Sequence, residues 1–169
     1  PVVFQQWEDI VPHTMEQGRS PLLVVLDHIT DVGNFGAICR TAYAAGADAV
    51  VIPVSGSAPV NGDAIKSSAG ALEYLPVCRV PNIATALQEM KLHGLSVLGT
   101  SLKAEKLLGD TQLDLPVAIV MGSEDSGLSP DVEETLDHGI RIPMAREFDS
   151  YNVSVACAMV LYEALRQRM

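Results

Sequence analysis

The sequence predicts an α/β domain: a mostly parallel sheet with helices on both faces. Strand-like and helix-like segments alternate almost to the end of the chain, as repeated strand–helix–strand units do. Residues 22–26 (LLVVL) are continuously apolar, as a strand covered on both faces must be. A chain of 169 residues, 48% of them apolar, suits one domain with a substantial core.

The elements follow in order. The first 20 residues read as an edge helix or a connecting segment, and 22–26 as the first strand. Residues 35–45, rich in alanine and closed by Gly46, form a helix. Residues 49–53 are a strand, 64–72 are helical and 75–80 are a strand again. Asn82 opens a helix that runs to about His93, where Gly94 stops it. Residues 95–99, 117–121 and 140–142 are three further short strands. Ser129 caps a helix whose first turn takes Pro130, with Asp131, Glu133 and Glu134 at its positive end. The last helix, from about Asn152 to Gln167, sets Val153, Ala156, Cys157, Val160, Leu161 and Ala164 in one apolar stripe, a core face or a dimer face. With no repeat and no linker, residues 21–169 read as one domain.

Composition narrows the function. No apolar run reaches the roughly 18–20 residues of a membrane span. The first nine residues lack the pattern of a secretory signal, so a cytoplasmic protein is expected. Cys39, Cys78 and Cys157 stand far apart among apolar residues, without a CxxC or Cys/His cluster. They read as reduced core residues, with neither a disulfide framework nor a zinc site. A net charge of −10 and an isoelectric point near 4.6 do not fit a stand-alone nucleic-acid binder. The chain opens at Pro1 without a Met, which is expected of a piece of a longer protein.

In α/β sheets, ligands bind beyond the carboxyl ends of the strands, and the unusual residues lie there. The first segment, residues 27–47, holds Gly33, Asn34, Gly36 and Arg40. Taken alone, Asn34 is a helix cap and Arg40 a surface ion-pair former, with the glycines allowing a tight turn. The second, 121–130, carries Gly122, Glu124, Asp125 and Gly127, and alone is a turn with solvated acids. The third, 142–163, passes from Ile142-Pro143-Met144 through a charged loop to Ser150-Tyr151-Asn152. There Ser150 would cap the last helix.

Together, in this order and on these elements, the three segments resemble the signature motifs of the SpoU/TrmH branch of the SPOUT methyltransferases. N-x-G-x-I-x-R-T-A matches residues 34–42, M-G-x-E-x-x-G matches 121–127, and I-P-M…S-x-N-V-S-V-A matches 142–156. The stretch SSAGALEYLPV (67–77) is also similar to family sequence. Two departures stand out: Asp31-Val32-Gly33 where the family has Asp-Pro, and Ser150-Tyr151-Asn152 where it has Ser-Leu-Asn.

The resemblance implies an RNA ribose 2'-O-methyltransferase with a C-terminal trefoil knot, acting as a homodimer on S-adenosyl-L-methionine and without a metal. The donor would lie against Thr100, Gly122, Ile142 and Tyr151, held mostly by backbone, with Gly122 leaving room for it. Asn34, Arg40, Glu124, Ser150 and Asn152 would form the catalytic set. Arg40 would hold a phosphate of the RNA and stabilise developing charge; a guanidinium is too weak a base to take the proton. Glu124 and Asn34 would orient Arg40, while Ser150 and Asn152 hold the loop or touch RNA. The family look implies a guanosine of 23S rRNA as substrate and an RNA-binding domain ahead of this chain. A tRNA-modifying relative and a non-catalytic binding domain of the same fold are the alternatives. An oxidoreductase would need GxGxxG after the first strand, where the chain has DHITDVGNFG. A metal-dependent hydrolase would have only Asp27, His28 and Asp31, clustered in one loop.

Overall fold

The computed structural model describes residues 2–169. Seven strands form one sheet in the order β1-β4-β3-β2-β6-β5-β7, with every pair parallel. The strands are β1 (Phe4–Gln5), β2 (Leu22–Asp27), β3 (Ala49–Pro53), β4 (Val77–Val80), β5 (Ser96–Thr100), β6 (Val117–Gly122) and β7 (His138–Ile140). The helices are α1 (Trp7–Glu16), α2 (Val32–Ala44), α3 (Gly62–Ser67), α4 (Ile83–Leu92), α5 (Pro130–Thr135) and α6 (Val153–Arg168).

Strand geometry explains the apolar run of β2. Alternate side chains point to opposite faces. Leu22, Val24 and Leu26 join a core with Phe35 and Ile38 of α2 and with Cys157 and Leu161 of α6. Leu23 and Val25 join a second core with Trp7 and Val11 of α1, Leu87 and Met90 of α4 and Val132 of α5. A strand between two helical layers has no polar side, and each such side chain adds about 1.5–3 kcal/mol of hydrophobic stabilisation. Residues 2–20 belong to this body, since Trp7 is buried and β1 pairs with β4.

The cysteines are free and buried. Burial pushes the Cys78 and Cys157 thiols up to about 12 and that of Cys39 higher still. Among the described residues no helix is long and apolar enough to cross a membrane.

Several boundaries differ from expectation. The 64–72 helix breaks after Ser67, because Ala69 and Gly70 take positive φ and a short 3-10 turn (Ala71–Glu73) follows. Helix α2 begins three residues early, capped by Asp31, whose carboxylate accepts from the Asn34 N–H at 2.7 Å. Gly33 and Gly36 therefore lie inside a helix, where Gly36 admits α3: a Cβ there would meet Ser67 Oγ at 1.9 Å. The last strand ends at Ile140, with only Arg141 bridging on to Leu107. Asn152, and not Ser150, caps α6 by accepting from the N–H groups of Ser154 and Val155. Ser129 sits at the cap of α5 but does not cap it; its hydroxyl goes elsewhere.

Candidate functional site

Strands β2, β3 and β4 build outward on one side, and β6 and β5 on the other. Strand order thus reverses between β2 and β6, where such folds open a crevice at their carboxyl edge. A cleft of about 670 Å³ opens beside it, across the ends of β5, β6 and β7. Thr100, Gly122, Ile142 and Tyr151 all line it, as do Glu124 and Ser150. The sequence thus places six of its nine site residues around one opening.

Its walls are two loops. After β6 the chain turns tightly through residues 123–127, where Ser123 pairs with Gly127 and Gly127 takes φ +66°. After β7 the 143–152 loop is tied to itself, since Tyr151 donates from its phenol to the Pro143 carbonyl at 3.0 Å. The departure from Leu at this position therefore adds a loop closure. Thr100 turns its hydroxyl toward Met121 Sδ at 3.8 Å. Glu124, Asp125, Glu133 and Asp149 line the cleft against one cation, Lys103, so it favours a positively charged guest.

Gly122 has a different reason from the one expected. A Cβ there would stand 2.4 Å from the Gly127 carbonyl carbon and 2.5 Å from Leu128 N. The space a side chain would take belongs to the protein's own loop.

The polar residues assemble around Asn152. Its Nδ2 donates to Glu124 Oε1 at 2.6 Å and to Asn34 Oδ1 at 3.2 Å. The same Glu124 oxygen accepts from the Val153 N–H at 2.9 Å. One amide thus joins the start of α2, the β6 loop and the start of α6. Arg40 stands apart, exposed on α2 and in none of the ion pairs among the described residues. Among the hydrogen bonds of the described residues none joins Arg40 to Glu124 or Asn34 within the chain, and Arg40 lies six residues beyond Asn34, about 9 Å along the helix axis.

One group has a role that the sequence reading did not give it. Asp27, at the end of β2, is completely buried. Its Oδ2 accepts from Ser129 N–H at 2.7 Å and Ser129 Oγ–H at 2.8 Å, and Oδ1 pairs with His28 Nδ1 at 2.6 Å. This carboxylate stitches β2 to the β6–α5 loop. The signal was a charged residue closing an all-apolar strand, which must find donors to be buried. Among the described residues no group of His, Cys, Asp or Glu is arranged to hold a metal ion.

Comparison with known proteins gives the family. The model of the SpoU rRNA Methylase family matches residues 21–162. The chain belongs to that family. It is 41% identical to the 23S rRNA (guanosine-2'-O-)-methyltransferase RlmB of Vibrio parahaemolyticus over 168 residues, 99% of this chain and 68% of that protein. It is equally similar, at 41% over 167 residues, to an uncharacterized tRNA/rRNA methyltransferase of Synechocystis, covering 98% of this chain and 44% of the relative. The AdoMet-bound rRNA methyltransferase of Sinorhizobium meliloti superposes with a TM-score of 0.87 at 27% identity, covering 99% of this chain and 62% of that one. The SpoU domain described here thus spans between less than half and about two thirds of these longer relatives.

Proposed function

We propose that this SpoU domain is the catalytic part of an RNA ribose 2'-O-methyltransferase that uses S-adenosyl-L-methionine, with a guanosine of 23S rRNA as target. The observation that carries the reading is the acidic cleft at the strand ends, lined by Thr100, Gly122, Ile142 and Tyr151. When bound there, the donor supplies a methyl carbon activated by a positive sulfonium, which suits four carboxylates facing one lysine. Backbone groups at the ends of β6 and in the 142–151 loop hold it. The Glu124–Asn152–Asn34 network fixes both walls relative to α2, so its contribution is positioning. Ser150, on the cleft wall, faces the incoming ribose. Arg40 holds a phosphate beside the reacting hydroxyl and stabilises charge as the proton leaves.

Arg40 does not line the cleft of its own chain, which favours a homodimer in which the site is completed by the partner. The outer face of α6, with Val155 and Tyr162 exposed, is the surface we assign to that contact. The family likeness supports a trefoil knot in the segment leading into α6. Residues 21–169 form the catalytic unit, to which 2–20 add an edge strand and a packed helix, and RNA affinity comes from a separate RNA-binding part. The net charge of −10 fits that division, and the place of action is the cytoplasm. A tRNA substrate is the second reading, favoured by the Synechocystis relative, whose name gives both RNAs.

The test is calorimetry with S-adenosylmethionine and S-adenosylhomocysteine, followed by methyl transfer to 23S rRNA and tRNA transcripts. The parent and Arg40→Ala should bind the donor alike, Ile142→Arg should repel it, and Arg40→Ala should lose transfer. A folded chain that binds neither compound, or an Arg40→Ala variant with full transfer, would overturn the reading.

A further inference from the structure

The ridge formed by α2 and the α3–3-10 segment carries chemistry that the cleft does not use. Gly36 of α2 abuts Ser67 of α3. Arg40 follows Gly36 at i+4 and Tyr43 at i+7, spacings that share one helical stripe. Tyr43 stacks on Tyr74, with ring centroids 5.7 Å apart and planes 25° apart. Arg40 therefore stands between the Gly36–Ser67 contact and the tyrosine pair. Both rings look into solvent: Tyr43 is 47% and Tyr74 68% exposed.

The charges on this ridge are uncommitted. Arg40, and Lys66 beside Ser67, take part in none of the ion pairs among the described residues. By contrast, Arg19, Lys91 and Arg166 face carboxylates, and Arg79 lies over the Phe4 ring. Asp63 and Glu73 are the acids of the same segment, so the ridge is locally balanced within a chain of net charge −10. Two open aromatic faces beside cations held in no ion pair suit single-stranded nucleic acid: the ring takes a base and the cation its phosphate.

We infer that this ridge is a docking platform for an unpaired nucleotide of the RNA, next to the one whose ribose reacts. The base continues the Tyr43–Tyr74 stack on an outer face, and Arg40 and Lys66 receive the phosphates. Arg40, which holds the phosphate beside the reacting hydroxyl, and Tyr43 are three residues apart on α2, about 4.5 Å along its axis. That is about one stacked nucleotide at roughly 3.4 Å. The inference rests on the proposal that the chain methylates RNA.

The experiment titrates the chain against a fluorescein-labelled single-stranded oligoadenylate and the same sequence in duplex, read by anisotropy. It compares the parent with the Tyr43→Ala/Tyr74→Ala and Tyr43→Phe/Tyr74→Phe pairs. Donor affinity by calorimetry and association state by sedimentation are measured on each. The single strand should bind more tightly than the duplex. The alanine pair should weaken it at least about fivefold, and the phenylalanine pair by less than about twofold. Donor affinity and association state should stay unchanged. An alanine pair within about twofold of the parent overturns the platform. So does a loss accompanied by a change in association state, which would assign the rings to a protein contact. A chain that binds the oligonucleotide through these tyrosines but takes no donor would sink the methyltransferase reading and leave the platform standing. Donor binding with no binding of the oligonucleotide would do the reverse.

Discussion

Replacing Gly122 by alanine adds one methyl group at a place where the protein's own backbone stands. That carbon would lie 2.4 Å from Gly127 C, whereas ordinary van der Waals contact begins near 3.4 Å, so the 127–128 backbone must retreat by about 1 Å. Ser129 follows directly, and its N–H and hydroxyl reach Asp27 at 2.7 and 2.8 Å. A 1 Å retreat would stretch both bonds past the roughly 3.2 Å at which such bonds fail. Overpacking costs about 1–3 kcal/mol, and strained bonds to a buried carboxylate add about 1 more. The expected loss of about 2–4 kcal/mol lowers Tm by about 4–16 °C in a domain of this size. Calorimetric melting of the variant, with and without S-adenosylmethionine, reads it. A variant that melts within a degree or so of the parent yet loses the donor would refute this reasoning, because Gly122 would then be making room for the ligand and not for the loop.

Two further outcomes follow from α6. Arg168 donates to the carbonyls of Ser20 (2.6 Å), Leu115 (2.8 Å) and Leu113 (2.9 Å), fastening the end of the chain to the starts of β2 and β6. Arg168→Ala should cost about 2–4 kcal/mol by thermal melting, and Arg168→Lys should recover only part, since an ammonium cannot reach all three carbonyls; a lysine variant equal to the parent would contradict this. Hydrogen bonds from Arg166 and Gln167 hold the Glu163 carboxyl down from 4.5 to about 2. A depressed carboxyl stabilises the fold above its ordinary value and loses that contribution as pH falls toward 2, so Glu163→Gln should flatten the stability profile between those limits. An unchanged profile in acid unfolding would show that the interaction is screened away.

What was legible in the sequence was whatever one element determines by itself. Residues 49–53 could be bounded because the apolar run and the strand coincide. Asn82 caps α4 through Thr85 N–H, as its position announces. The three motif segments could be gathered to one edge of the sheet because parallel topology puts every strand's carboxyl end there. What was hidden depends on partners far away in the chain. Ser129 looks like a cap, but a buried carboxylate 102 residues earlier offers it a charged acceptor, and a charge-assisted bond outcompetes capping. Ser150 and Asn152 are both good caps, and the choice fell to the residue that could also reach Glu124 and Asn34. Gly122 announces that a side chain is unwelcome, but only the fold says what it would strike. Arg40 was rightly placed on α2, yet its expected partners turned out to be bound to each other through Asn152.

The sheet also has a consequence for how copies of this chain meet. Its central strands, β2 and β6, are six residues long, while the edge strands β1 and β7 have two and three. A long open edge is a template on which another chain can add itself, and short edges deny it. Arg79 spreads over Phe4 at 3.7 Å and puts a cation beside one rim. At the other, Gly139 sits against Ala104, where a Cβ would come within 2.9 Å, so the 101–107 loop shields that border. A sheet finished in this way resists fibre-like stacking, which lets copies of the chain meet at high concentration without adding to one another.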